Sequence, residues 1–233
     1  LATLVAALLR ETGFPWVRFL YAYPKTLHDS VLERMAAEPR FVPYVDVPLQ
    51  HVSRSVLAGM RRGGDPESCL RLVERLRAAV PGIALRSTFI AGFPGEGEAE
   101  FAELLAFVKA AELDHVGVFP YSPEPGSGAE GLGDPVPAPV KGERCAAVME
   151  AQREISRRKN RQLRGKVHDA ILEGASTESK MLLEARLARQ APEIDGKVLV
   201  NDVPEGFVPR PGAIVRVRVT GAHDYDLVGR VVP

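Results

Sequence analysis

The chain has 233 residues, 45% of them hydrophobic and 26% charged, with 30 basic side chains against 30 acidic ones. A hydrophobic core is therefore expected, in one large domain or two modest ones. Zero net charge excludes a polyanion binder that works by bulk attraction, though not a local basic patch. No apolar run approaches the ~20 residues of a membrane helix. Leu1 to Arg10 lacks the basic start and small-residue cleavage site of a signal peptide, so a cytoplasmic chain with no membrane partner is expected. The only cysteines, Cys69 and Cys145, lie far apart. They form neither a disulfide framework nor a metal knuckle, and read as reduced thiols on helices. The chain does not begin with Met and opens inside an apparent helix, so a truncated fragment is expected.

The first two-thirds alternates strand and helix. Val17 to Tyr23, rich in aromatic and β-branched residues, reads as a strand. Ser30 to Ala37 reads as a short helix, Tyr44 to Leu49 as the next strand and Ser53 to Arg62 as the next helix. Asp65-Pro66 supplies an N-cap and a first-position proline to a helix that ends near Ala79, before Pro81-Gly82. Ile83 to Ala91 is a strand. Phe101, Leu104, Leu105 and Val108 place an amphipathic helix over Glu98 to Ala111, and His115 to Tyr121 is a fourth strand. Alternation of this kind implies parallel pairing and right-handed crossovers. Four strand units are half of a complete eight-stranded barrel.

Ser122 to Val140 is a linker rich in Gly and Pro, followed by a long helix over 140–164. The end of that helix is basic: Arg153, Arg157, Arg158, Lys159, Arg161, Arg164 and Lys166 oppose a single acid, Glu154. Beyond Gly165, five short strands are expected at Val167–Leu172, Met181–Leu187, Lys197–Val200, Ile214–Val219 and Leu227–Val232. Five short strands in so little chain suggest a small barrel of the oligonucleotide-binding type.

Polar side chains recur on one face of the α/β strands. Arg86 alternates with Ser87, and Asp46 and Gln50 share a face with Val45, Val47 and Leu49 on the other. Arg18 repeats the pattern on the first strand. An arginine on a strand buried from both sides is costly unless it meets an anion. A ligand-lined interior is one reading, and a structural network of mutual pairs is the other. Two turns follow strand ends, where barrel sites are built: Pro48-Leu49-Gln50-His51-Val52-Ser53 and Ala91-Gly92-Phe93-Pro94-Gly95-Glu96. Gly92 and Gly95 permit close backbone approach, and the helix N-terminus that follows suits a nucleotide-like ligand or a carboxylate. A lone His51 reads as structural.

Two long segments, Asp46-Val47-Pro48-Leu49-Gln50-His51-Val52-Ser53 and Arg86-Ser87-Thr88-Phe89-Ile90-Ala91-Gly92-Phe93-Pro94-Gly95-Glu96, resemble the methylthiotransferases, a branch of the radical S-adenosylmethionine enzymes. The resemblance covers essentially the whole chain. It implies an α/β fold: the C-terminal part of a partial (β/α)6 barrel over residues 1–160, then a small all-β, OB-like TRAM barrel over 165–233. Within the family, Leu20-Tyr21-Ala22-Tyr23-Pro24, Ala191-Pro192-Glu193-Ile194-Asp195-Gly196 and Asp224-Tyr225-Asp226-Leu227-Val228-Gly229 resemble the branch that modifies an aspartate of the small-subunit ribosomal protein uS12. The sister branch modifies a tRNA adenosine. From Lys166 to Pro233 nine basic residues face ten acidic ones. A tRNA-reading domain should be clearly basic, so this balance suits a basic protein partner better.

The family implies S-adenosylmethionine and two [4Fe-4S] clusters, one held by a Cys-x3-Cys-x2-Cys motif. The first cluster cleaves S-adenosylmethionine to a radical that takes hydrogen from the substrate carbon, and the second supplies sulfur that is then methylated. Clusters need thiolate ligands. This chain lacks the motif, so the ligands are expected upstream, no catalytic residue or metal ligand is expected here, and the chain alone should be inert. The resemblance assigns Gly92, Phe93, Pro94 and Gly95 to the adenine. Gln50 and Ser53 fall near the ribose or methionine end, and Arg86 near the methionine carboxylate or the substrate aspartate. Glu193 and Asp195 are expected to grip the protein substrate. The basic run over 153–166 is expected either to touch ribosomal RNA or to be a solvated helix face. Beside the uS12 reading stand a tRNA methylthiotransferase and, in another class, a non-catalytic RNA- or protein-binding module.

Overall fold

Helical spacing of apolar side chains and short β-branched runs alternate through the first half of the chain. The computed structural model sets helix and strand in the same order, and describes residues 1–177, 179 and 181–233. The described residues form two units, Leu1–Gln152 and Arg153–Pro233.

In the first unit, α1 (Ala2–Glu11) and α2 (Asp29–Ala37) precede a short strand, β1 (Tyr44–Asp46). Then come α3 (Arg54–Gly59), α4 (Pro66–Ala79), β2 (Ala84–Ala91), α5 (Glu98–Ala111) and β3 (His115–Pro120). The long α6 (Ala138–Arg161) begins in this unit. The sheet order is β1-β2-β3, all parallel. Helix starts follow the sequence signals: Asp65 accepts the Ser68 N–H at 2.8 Å, Ser68 Oγ accepts the Asp65 N–H at 2.9 Å, and Pro66 occupies the first turn of α4. Leu85 and Phe89 point from β2 into a core shared with Leu76, Leu104 and Leu113, all fully buried. Phe107 meets Phe89 edge-on at 6.1 Å. Each such side chain contributes about 1.5–3 kcal/mol by leaving water.

Two strand expectations are corrected. Val17–Tyr23 is an extended segment with a single parallel bridge, Val17 to Phe41. It runs beside the chain leading into β1: the Val42 N–H donates to Val17 O at 3.0 Å and the Ala22 N–H to Asp46 O at 2.9 Å. Tyr21, at φ +58°, turns the backbone between those points and interrupts a ladder. The regular part of the second strand stops at Asp46, short of Leu49. Asp46 pairs with Arg86, whereas Gln50 pairs with Phe89, so one extra residue enters between them. Pro48 has no N–H to give. Ser87 fills the gap: its Oγ accepts from the Leu49 N–H at 3.1 Å and donates to Val47 O at 3.0 Å.

The second unit is a closed barrel, β4 (Val167–Ala175), β5 (Leu183–Leu187), β6 (Val198–Asp202), β7 (Ile214–Ala222) and β8 (Leu227–Val232), in the order β4-β5-β6-β8-β7, with β4 pairing back onto β7. Alternate residues point inward: Ala170, Leu172, Val198, Val200, Val217, Val219 and Leu227 are 0–1% exposed. Closure leaves no open edge. At Gly196 a β-carbon would overlap the Tyr225 carbonyl, so only glycine fits where the approach to β6 passes the turn before β8. The Lys197 N–H, next in the chain, donates to Asp226 Oδ1 at 2.8 Å.

Candidate functional site

The site is built on one face of β1, β2 and β3 and on the turns that follow β1 and β2. Parallel register sets Asp46, Arg86 and His115 side by side across the sheet. Asp46 is buried and accepts the Tyr21 N–H at 3.1 Å, with Arg86 Nε 3.9 Å away. The Arg86 guanidinium lies against the bare α-carbon of Gly117, where a β-carbon would come within 3.3 Å of Nη2. Below this row the Arg18 guanidinium covers the Tyr44 ring at 4.5 Å, and the Tyr44 and His115 rings stand 6.1 Å apart. Arg18, Asp46 and Arg86 thus line one face of the sheet with Tyr44 and His115.

The two turns meet at Glu96, whose side chain is fully buried. Its Oε2 accepts the Gly92 N–H at 2.8 Å, and its Oε1 takes Arg144 Nη1 at 2.9 Å. Arg144 comes from α6 and also donates to Glu96 O at 3.0 Å and to Glu98 Oε1 at 2.7 Å. His51, also fully buried, accepts the Ser53 N–H at Nδ1, 2.9 Å. A backbone N–H only donates, so the ring proton sits on Nε2, 3.4 Å from Glu96 Oε2 without hydrogen-bond geometry. One helical turn before Arg144, Lys141 donates to Tyr121 O at 2.8 Å and pairs with Asp134. Its aliphatic stem covers Gly92, where a β-carbon would overlap Lys141 Cγ.

The predicted residues divide into those at the mouth and those drawn into the core. Gly95, at φ +93° with nothing near its α-carbon, is exposed, and Pro94 and Gln50 are half-buried, Gln50 at φ +69°. Phe93 is packed inward with Val56 and edge-on to Tyr121 at 5.1 Å. Gly92 does not offer an open face, because Lys141 occupies it. The helix N-terminus also differs from the anion site expected from sequence. The Gly92 and Gly97 N–H groups are already taken by Glu96 and by Glu100, whose carboxyl is held below its ordinary range first by backbone N–H bonds at the start of α5. With Glu98 and Glu100 in its first turn, that terminus suits a neutral or cationic group rather than a carboxylate.

In the second unit Asp195 Oδ2 accepts the Ala191 N–H at 2.7 Å and so closes its own turn, while Glu193 is exposed at φ +68°. The basic run is partly spent internally: Arg157 grips Asp224 through two bonds of 2.6 and 3.2 Å. That grip holds the Asp224 carboxyl below its usual range. Arg161, Arg164 and Lys166 are exposed. Sequence reasoning missed Lys141 and Arg144. The available signal was their spacing: both extend the stripe of Cys145, Val148 and Gln152 on α6, and a cation on an apolar stripe needs a buried partner.

A model of the Radical SAM superfamily matches residues 1–108, and a TRAM domain model matches residues 165–232. The chain is 46% identical to the ribosomal protein uS12 methylthiotransferase RimO of Solibacter usitatus, over 93% of this chain and 46% of the relative. It is 44% identical to the protein of that name from Koribacter versatilis and 45% identical to that from Desulfotalea psychrophila, in each case over 100% of this chain, and over 46% and 52% of those relatives. Along its whole length the chain is similar to radical SAM methylthiotransferases. It spans about half the length of the curated relatives it matches. Among solved structures, the radical SAM enzyme coproporphyrinogen III oxidase (HemN) of Escherichia coli aligns with a TM-score of 0.51 at 16% identity, over 80% of this chain and 48% of that one, a likeness of fold.

The family uses S-adenosylmethionine and iron–sulfur clusters. Among the described residues, no group of three potential metal ligands comes together. Burial pushes the Cys69 thiol up to about 11 and raises that of Cys145 as well, the reverse of what a cluster ligand needs. A cluster does not fit the residues of this chain. The mouth of the sheet does fit S-adenosylmethionine. The bare, open α-carbon of Gly95 admits close approach of a flat ring, and the acidic start of α5 favours a sulfonium over an anion. No helix among the described residues is long and apolar enough to cross a membrane.

Proposed function

We propose that this chain belongs to a cytoplasmic enzyme that adds a methylthio group to the β-carbon of an aspartate in ribosomal protein uS12. Residues 1–160 are its S-adenosylmethionine-facing barrel part, and residues 165–233 are its TRAM domain. The observation that carries this reading is identity of 44–46% to proteins named for that reaction, running through both units rather than through the barrel alone.

Bound at the mouth, S-adenosylmethionine would supply the transferred methyl group. Pro94 and Gly95 wall the adenine, and Phe93 supports that wall from behind, through Tyr121. Gln50 faces the ribose or methionine end, with the buried Ser53 behind it at the start of α3. Arg86, held between Asp46 and Gly117, presents its guanidinium from deeper on the same face, toward a carboxylate of the cofactor or the substrate. Glu193 and the turn closed by Asp195 form an acidic edge for a basic protein, and Arg161, Arg164 and Lys166 remain to touch ribosomal RNA.

The test is a competition. The protein carrying this chain, with its clusters reconstituted, is given isolated small ribosomal subunits and tRNA together. Methylthiolation of uS12 is expected. Modification of the tRNA alone overturns the proposal in favour of the sister activity.

A further inference from the structure

Glu96 is reached from three distant segments of the first unit: His51 after β1, Gly92 at the end of β2, and Arg144 on α6. A carboxylate with no exposed surface needs a cation, and Arg144 Nη1 at 2.9 Å is the one that meets it. The same carboxylate oxygen, Oε2, accepts the Gly92 N–H at 2.8 Å and faces His51 Nε2 at 3.4 Å. His51 in turn fixes the Ser53 N–H at 2.9 Å. One charge therefore sets the relative position of both turns at the mouth, and that charge is held from a helix that begins more than forty residues later in the chain.

We propose that Arg144 is a positioning residue for S-adenosylmethionine, acting through Glu96 to lock the Gln50–Ser53 turn against the Gly92–Gly95 turn. This rests on the placement of the cofactor at those turns. Arg144 itself touches the second turn only at Glu96. Without its guanidinium, Glu96 must take up a proton or admit water, and either change loosens the acceptor that orients Gly92 and the carboxylate that faces His51. Small displacements of a positioned ligand are costly. A guanidinium is planar and forked, and here it serves Glu96 Oε1, Glu96 O and Glu98 together, so lysine replaces it only in part.

The experiment titrates S-adenosylhomocysteine into the isotope-labelled 233-residue chain and follows the amide signals of Ser53, Gly92 and Gly95, at a temperature where every variant is folded. In the wild-type chain these signals shift and saturate. Glu96→Gln keeps the shape and an acceptor but removes the charge. It is expected to weaken binding about tenfold, as is Arg144→Met, with Arg144→Lys falling between. A purely structural Arg144 lowers the melting temperature and leaves the affinity of the folded protein unchanged, and that result overturns the proposal. If Arg144→Met does not fold, the near-isosteric Glu96→Gln decides. Wild-type signals that do not move at these three positions overturn the placement of the cofactor instead.

Discussion

The two units treat their sheet edges and their polar groups in opposite ways. The barrel of residues 153–233 closes on itself, β4 pairing with β7, and its interior is aliphatic. The β1-β2-β3 sheet of the first unit is open, and one of its faces carries Arg18, Asp46, Arg86 and His115. The barrel spends its carboxylates on itself: Asp195 on the Ala191 N–H, Asp224 on Arg157, Asp226 on the Lys197 N–H. Arrangements of that kind stabilise a fold without needing a ligand. The groups on the open face also meet one another, Asp46 with the Tyr21 N–H and Arg86, and Arg18 over Tyr44, so the contrast is between a sheet face that carries charge and a barrel interior that carries none.

Substitutions can break this contrast. The largest effect is expected in the barrel, from Gly196→Ala, because the added carbon meets backbone at Tyr225 rather than a movable side chain. A loss of about 3 kcal/mol or more is expected, read as lost hydrogen-exchange protection across β6 and β8 with the first unit unchanged. Ser87→Ala removes both bonds that bridge the slip after β1, leaving Leu49 N–H and Val47 O without their partner. About 1–3 kcal/mol should be lost, seen as faster exchange at Leu49 and Gln50. Gly95→Ala meets no neighbour and suffers only from φ +93°, so about 1 kcal/mol is expected. If it cost as much as Gly196→Ala, the mouth would be more tightly built than described.

Acid should act first on the barrel. His168 is held below its ordinary 6.5 by burial first, and then by Arg189 and Lys166. Glu184 is held below 4.5 by its bonds from Lys197 and Ser176. Both groups take protons more readily when unfolded, so both contribute stability at neutral pH that is lost on acidification. The loss begins near 6.5 for His168 and near 4.5 for Glu184, and His168→Gln should flatten the upper part of the profile. The smallest effect concerns Cys69. With its thiol at about 11, alkylation at neutral pH should be far slower than for a free cysteine, and rapid labelling would show that α4 opens.

Much of this was legible in the chain. The helix Glu98–Ala111 and the strand Leu227–Val232 have the expected ends, because local signals set them: an N-cap glycine with Glu100 three residues on in one case, alternation bounded by polar turns in the other. Val17–Tyr23 was not legible, because a strand exists only where its neighbour supplies a ladder, and Tyr21 turns the backbone away. The early end of β1 depended on Pro48 and on Ser87, a residue nearly forty positions away. At the site, the turns were readable from Gly92, Gly95 and Gln50. The inward turn of Phe93, the occupation of Gly92 by Lys141 and the node at Glu96 were not: Phe93 packs on Val56 and Tyr121 from other segments, and the other two depend on α6.

The most direct test of the functional account is the mass of uS12 from cells in which the gene for this protein has been deleted. The account predicts that uS12 loses one methylthio group on an aspartate, that tRNA modification is unchanged, and that restoring the gene restores the group. A uS12 of unchanged mass, or a deletion that instead strips the methylthio group from tRNA, contradicts it.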